Sequence, residues 1–162
     1  LGGAGVDSTN DLGLYRFGDA GAVQIARTGD AAPAGPGNFT SFVNAPALNE
    51  AGQAAFLAGL GGFGVDSTND FGIYLYDDIL GLLTVAREGD PFLGSTITGL
   101  KFKNGRADEY NGFNNLGQIA YWFQLANGNS GIALFTIPEP TTTALLALGG
   151  LTLLLRRSAR VV

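Results

Sequence analysis

Two copies of one acidic loop, GVDSTND at 5–11 and again at 64–70, hold the densest set of oxygen donors in the chain. Asp7, Asn10 and Asp11 in the first copy, and Asp66, Asn69 and Asp70 in the second, are the hard ligands that calcium takes six to eight at a time. Their spacing is not that of an EF-hand loop. Asx-turns, in which Asp and Asn side chains bond their own backbone, employ the same residues. Calcium is thus the one cofactor these residues suggest, and turn formation is the competing role. Paired carboxylates can hydrolyse a glycoside when they stand about 5–9 Å apart, and Asp77-Asp78 and Asp108-Glu109 are the adjacent pairs. Neither pair recurs, since Asp77-Asp78 aligns with Gly18-Asp19. Histidine and cysteine are both absent. That removes Ser-His-Asp and Cys-His chemistry, imidazole and thiolate metal ligands, and disulfides. No catalytic residue is assigned, and the expectation is a protein that is not an enzyme.

Arg27 and Arg87 each stand two residues before a Gly-Asp. A repeated arginine closing an apolar stripe reads as a salt bridge or backbone clamp, with Asp90 a candidate acid for Arg87, because its planar fork suits fixed partners. Aromatics gather at Tyr110, Phe113, Tyr121, Trp122 and Phe123. Strand alternation sends Tyr121 and Phe123 to a core face and leaves Trp122 opposite them as the candidate ligand surface.

The elements that carry these residues repeat. LGGAGVDSTNDLG (1–13) returns as LGGFGVDSTNDFG (60–72), IARTGD (25–30) as VAREGD (85–90), and LNEAGQAAFLAGL (48–60) as FNNLGQIAYWFQL (113–125). GLYRF (13–17) returns as GIYLY (72–76) and GIALF (131–135). The unit is about 60 residues, which divides the chain into a partial repeat (1–47), a complete one (48–112), another partial one (113–137) and a tail (138–162). Each complete unit reads as four short strands (52–60, 72–77, 82–88 and 97–103 in the middle copy), rich in β-branched and aromatic residues and bounded by Gly, Asn, Asp or Pro. In GIYLY, Tyr74 and Tyr76 share one face while Ile73 and Leu75 take the other. A sheet greasy on both faces needs a neighbour on each. The expected fold is therefore all-β, with antiparallel sheet repeats stacked in a propeller-like array, or alternatively a β-solenoid or stacked sandwich-like sheets, followed by a C-terminal hydrophobic helix. The last unit stops after its second strand, as a ring closed by strands from elsewhere would require.

Glycine, 26 of 162 residues, sits between the apolar runs without a collagen period. Residues 1–137 hold six basic and thirteen acidic side chains, a net charge of −7. Nucleic-acid binding needs a basic footprint, and none exists there. Pro138-Glu139-Pro140 opens a tail whose apolar run, from Thr141 to Leu155, spans 15 residues and ends on Arg156-Arg157. A spanning helix wants about 20 apolar residues, and basic residues stay on the cytoplasmic side. The tail reads as a handling signal and not as part of a core. Leu1 opens mid-repeat without a leader segment, so the chain is expected to be the C-terminal piece of a longer exported protein.

Pro138, Glu139, Pro140, the apolar run and Arg156-Arg157 together resemble the PEP-CTERM sorting signal of Gram-negative bacteria. The resemblance implies that an exosortase-type membrane enzyme holds the precursor at the inner membrane, cuts near the motif and passes the product to the outer surface. Asn49-Glu50-Ala51-Gly52-Gln53-Ala54-Ala55-Phe56-Leu57-Ala58-Gly59-Leu60 resembles the NxxGxxAFxAxL tandem repeat of bacterial surface proteins. The copy at 114–125 keeps Asn114, Gly117, Ala120 and Leu125, and places Tyr121 and Phe123 where the motif has Phe and its second Ala. Together these imply an exported protein with a structural or adhesive role in the surface or exopolysaccharide layer, contacting polysaccharide or surface proteins. The alternatives are a carbohydrate- or protein-binding module, and a hydrolase whose catalytic residues lie in other repeats.

Overall fold

Short Gly- and Asn-bounded runs of branched and aromatic residues favour extended chain, and the computed structural model contains ten strands and no helix among the residues it describes, 3–18, 21–103 and 111–137. Strands β1 (Gly13–Gly18) and β2 (Gly21–Arg27) form a two-stranded first sheet. A four-stranded second sheet runs in the order β3 (Asn38–Leu48), β4 (Ala54–Gly61), β5 (Phe71–Asp77) and β6 (Gly81–Arg87). The third sheet contains β7 (Pro91–Phe92), β8 (Ser95–Lys101), β9 (Gln118–Leu125) and β10 (Ser130–Thr136), in the order β10-β9-β8-β7. Every pairing is antiparallel. The expected C-terminal helix falls in the tail, outside the described residues.

The sheets are framed one strand earlier than the sequence repeat. The fourth strand of the unit bounded at 48–112 is β8, and it pairs with β9 of the next copy instead of the β6 edge. Turn chemistry is the cause. Asp90 N–H bonds Arg87 O at 3.2 Å, and Gly89 between them has φ 88°. That is the third position of a type II turn, where φ must be positive. The turn sends the chain off the β6 edge, and Gly89 N–H and Asp90 O then both bond Ile97, at 2.9 and 3.0 Å. Gly29 (φ 89°) and Asp30 make the same pair of bonds to Phe39, at 2.8 and 2.9 Å, so β3 enters the second sheet as β8 enters the third.

Alternation along β5 divides two cores. Tyr74 packs with Phe39, Phe56, Leu60 and the first sheet's Ile25 and Ala26. Ile73 and Leu75 pack with Ile97, Leu100, Ile119, Tyr121 and Phe123 of the third. All three β5 side chains are 0 % exposed, so the second sheet is covered on both faces. Full burial of such side chains contributes about 1.5–3 kcal/mol each. The bulky Phe123, standing where β4 has Ala58, is accommodated by its edge-on contact with Phe92, centroids 5.0 Å apart, at the position where the first copy has Ala32.

Candidate functional site

The two acidic loops have one geometry. Asp7 Oδ1 accepts from Thr9 N–H (2.8 Å) and Oγ1–H (2.6 Å), and Asp66 Oδ1 accepts the same bonds from Thr68 at the same lengths. Asn10 Oδ1 accepts from Asp7 N–H and its Nδ2 donates to Gly5 O; Asn69 does the same with Asp66 and Gly64. These are Asx-turns, and the threonine bonds hold the Asp7 and Asp66 carboxyls below the usual range. Of the oxygens that suggested calcium, Asp7 Oδ1, Asn10 Oδ1, Asp66 Oδ1 and Asn69 Oδ1 accept bonds within their own loops, while Asp70 bonds Glu88 outside its loop. Among the described residues no three acidic side chains converge as a metal would require.

The arginines act as backbone clamps, each in its own way. Arg27 Nε donates to Asn10 O at 2.6 Å and Nη2 to Asn10 Oδ1 at 3.0 Å, locking the first loop onto the end of β2. Arg87, 2 % exposed, donates from Nη2 to Pro36 O at 2.6 Å, in the loop of the preceding unit. The ion pair found among the described residues is neither of these: it joins Arg16 of β1 to Asp78 beyond β5, linking the first two sheets.

Glu88, where the first copy has Thr28, is a buried residue, 9 % exposed, lying between Phe71 of the second sheet and Leu100 of the third. Burial, the neighbouring Asp70 charge and a hydrogen bond with Asp70 raise its pKa to about 7, against backbone bonds from Leu100 and Phe71 that favour the ion. The sequence reading passed over this residue. Its one signal is the exchange of Thr28 for a charged side chain inside an otherwise matching RxGD turn.

Also passed over were the turns that stack copy on copy. Asn49 Oδ1 caps Gln53 N–H and Asn114 Oδ1 caps Gln118 N–H, both at 3.0 Å. Asn49 Nδ2 then donates across the sheets to Asn114 O at 3.1 Å, and Glu50 N–H donates to Asn115 Oδ1 at 3.1 Å. Gln53 passes the chain of bonds to Asp77 Oδ2 at 2.8 Å.

That bond, with those from the Ile79 and Leu80 amides, engages both oxygens of Asp77. Burial raises the Asp77 carboxyl, but the three donors outweigh it and leave the pKa below the ordinary value. Asp78 is held by Arg16 and Tyr76. The pair is therefore a turn closure and an inter-sheet link. Asp108-Glu109 and the residues expected to form a sorting signal, Pro138, Glu139, Pro140, Arg156 and Arg157, lie outside the described residues. Tyr121 and Phe123 are buried as alternation requires, and Trp122 is half-exposed on the opposite face with Lys101 Nζ 4.7 Å from its ring centroid. Ala120, Ile132 and Lys103 complete a shallow groove there.

No curated protein and no solved structure matches the chain. A family model matches residues 1–144, which take in all three sheets with their stacked turns and acidic loops, and the chain accordingly belongs to DUF7453, a family of unknown function.

Proposed function

We propose that the chain is an exported, surface-associated structural protein whose sheets stack in a propeller-like array and present loops in the cell-surface or exopolysaccharide layer. One observation carries this reading: the repeated polar residues are engaged in bonds within their loops or between neighbouring sheets. Asp66 and Asn69 bond their own loop, Arg87 clamps a neighbouring loop, and Asn49 reaches the equivalent turn of the next sheet. A four-stranded meander such as β3-β4-β5-β6 is the form of a propeller blade, which favours that arrangement over a solenoid. Delivery rests on the tail. Pro138-Glu139-Pro140 and Arg156-Arg157 would be read by an exosortase-type enzyme at the inner membrane, which cuts the chain and leaves the sheets outside.

The test is made in a Gram-negative host that carries an exosortase. The wild-type product should end close to Pro138–Pro140 by intact mass and be digested by protease added to whole cells. The variant P138A/E139A/P140A should stay in the membrane fraction with Val162 still attached. A wild-type product that keeps Val162 and stays inside the cell overturns the reading.

A further inference from the structure

The link by which the chain leaves the second sheet for the third contains the Asp90–Pro91 peptide bond. An aspartyl–prolyl bond is open to attack by its own side chain. The carboxyl can close on the adjoining carbonyl carbon as a cyclic anhydride, an intramolecular step that needs no second reactant. The proline nitrogen carries no N–H and is more basic than an ordinary amide nitrogen, so it leaves readily once it takes a proton.

The fold holds each participant. Ile97 N–H donates to Asp90 O at 3.0 Å, so the carbonyl under attack already has a donor on its oxygen. A donor placed there stabilises the negative charge that grows on that oxygen. Burial raises the proton affinity of the Asp90 carboxyl, against the pull of the Arg87 charge and of a backbone bond from Arg87 that keeps the carboxyl at the turn. A carboxyl that retains its proton can supply it to the leaving nitrogen. Pro91 is exposed, which lets water reach the bond.

The first copy lacks two of these features. Phe39 N–H donates to Asp30 O at 2.9 Å in the same way, but Ala31 follows Asp30, and Gln24 Nε2 draws the Asp30 carboxyl aside at 2.9 Å. In the second copy Thr84 takes the register position of Gln24, and its hydroxyl is committed to Pro33 O.

From this geometry we infer that Asp90–Pro91 is a self-cleavage site. An Asp90 carboxyl oxygen bonds to the Asp90 carbonyl carbon, the C–N bond to Pro91 breaks, and the carboxyl proton passes to the Pro91 nitrogen. Water then opens the anhydride, leaving Asp90 with a free α-carboxyl and Pro91 as a new amino terminus. The cut falls between β6 and β7 and divides no sheet, since residues 1–90 keep the first two and residues 91–162 keep the third with the tail. The inference is independent of how the chain is delivered.

Purified full chain is held for several days at about pH 5, above the ordinary aspartate range, both folded and in concentrated urea, and followed by intact mass. The folded chain should release fragments 1–90 and 91–162 at least about tenfold faster than the unfolded one, the effect of a fixed donor on the carbonyl. Asp90→Ala should release none and Pro91→Ala at least about tenfold less, with circular dichroism confirming the parent fold in each, and Asp30–Ala31 should stay whole throughout. Raising the pH to about 8 should suppress the cut, because Asp90 has by then given up its proton. Cleavage no faster in the folded chain overturns the inference, for it would be the intrinsic lability of the dipeptide alone; that comparison needs no variant. So does a chain that stays whole, a cut that persists in Asp90→Ala, or an equal cut at Asp30–Ala31. Each of these leaves the export test untouched.

Discussion

Tyr74 is fully enclosed in the central sheet, yet its hydroxyl has no hydrogen-bond partner. Burial raises its pKa to about 12, with Arg87 pulling down and Asp90 pushing up, so the group stays neutral at any ordinary pH. A buried hydroxyl without a partner carries a desolvation cost of about 1–3 kcal/mol. Tyr74→Phe keeps the ring, with its edge-on contact to Phe39 at 5.0 Å, and discards that cost. The variant should unfold at equal or higher denaturant, with a gain of about 1 kcal/mol; a clear loss in midpoint would show that the hydroxyl is bonded. Gly89 tests the opposite sense. Its φ of 88° excludes most side chains, and an added Cβ would stand 2.9 Å from Asn69 Cβ in the acidic loop. Gly89→Ala should therefore cost about 2–3 kcal/mol, combining backbone strain with displacement of the loop. Asn69→Ala removes one acceptor and one donor of that loop and should cost about 1 kcal/mol. If Gly89→Ala cost no more than Asn69→Ala by urea denaturation, close packing of turn on loop would be refuted.

Between elements, the most sensitive junction is the one where the RxGD turn leaves β6. Glu88 titrates near 7 in the folded chain and near 4.5 when free of the fold, because the site is buried and Asp70 lies beside it. Below about 4.5 both states hold the proton and the junction carries no penalty. As pH rises from 4.5 to 7 the unfolded chain releases its proton while the folded one keeps it, so stability falls, by at most about 1.4 kcal/mol per unit. Above 7 the penalty is constant. Asp90, also raised by burial against the pull of Arg87, acts in the same sense. The depressed carboxyls of Asp7, Asp66 and Asp77 lose their contribution only in more acid solution, outside this window. Glu88→Gln should flatten the decline between pH 4.5 and 7, and urea midpoints of both proteins across that range measure it; parallel curves would remove Glu88 from the account. This junction also marks how far sequence reading reached. Alternation in GIYLY placed Ile73, Tyr74 and Leu75 on their correct faces, since a period of two is a local property. The recurrence of GVDSTND exposed the loops but left calcium and turn formation both open, because an Asx-turn and a cation take the same oxygens. The move of β8 into the next sheet was not legible. A strand's composition does not name its partner, and the deciding residue, Gly89, acts through its φ. Nor was the bond from Asn49 to Asn114 legible, for it joins residues 65 positions apart.

Across the whole molecule, stability should follow the number of neighbours each sheet has, as in a linear array where every unit is held by the units beside it. The second sheet has two, and β4 and β5 lie at its centre with Ala54, Ala55, Ala58, Ile73 and Leu75 at 0 % exposure. The first sheet is a two-stranded ribbon, a form marginal by itself, tied to the second through Leu14, Ile25 and Ala26 and through the Arg16–Asp78 pair. In the third, β10 is an edge strand whose residues alternate between half-buried and exposed. Native-state hydrogen exchange should accordingly find the slowest amides in β4 and β5, opening only with global unfolding, and faster sub-global opening in β1, β2 and β10. Arg16→Ala, which severs the link between the first two sheets, should speed exchange in β1 and β2 without altering β4. The opposite result, equal opening energies in all three sheets that shift together in Arg16→Ala, would mean that the sheets fold as one indivisible core, and the picture of separable units joined face to face would have to be abandoned.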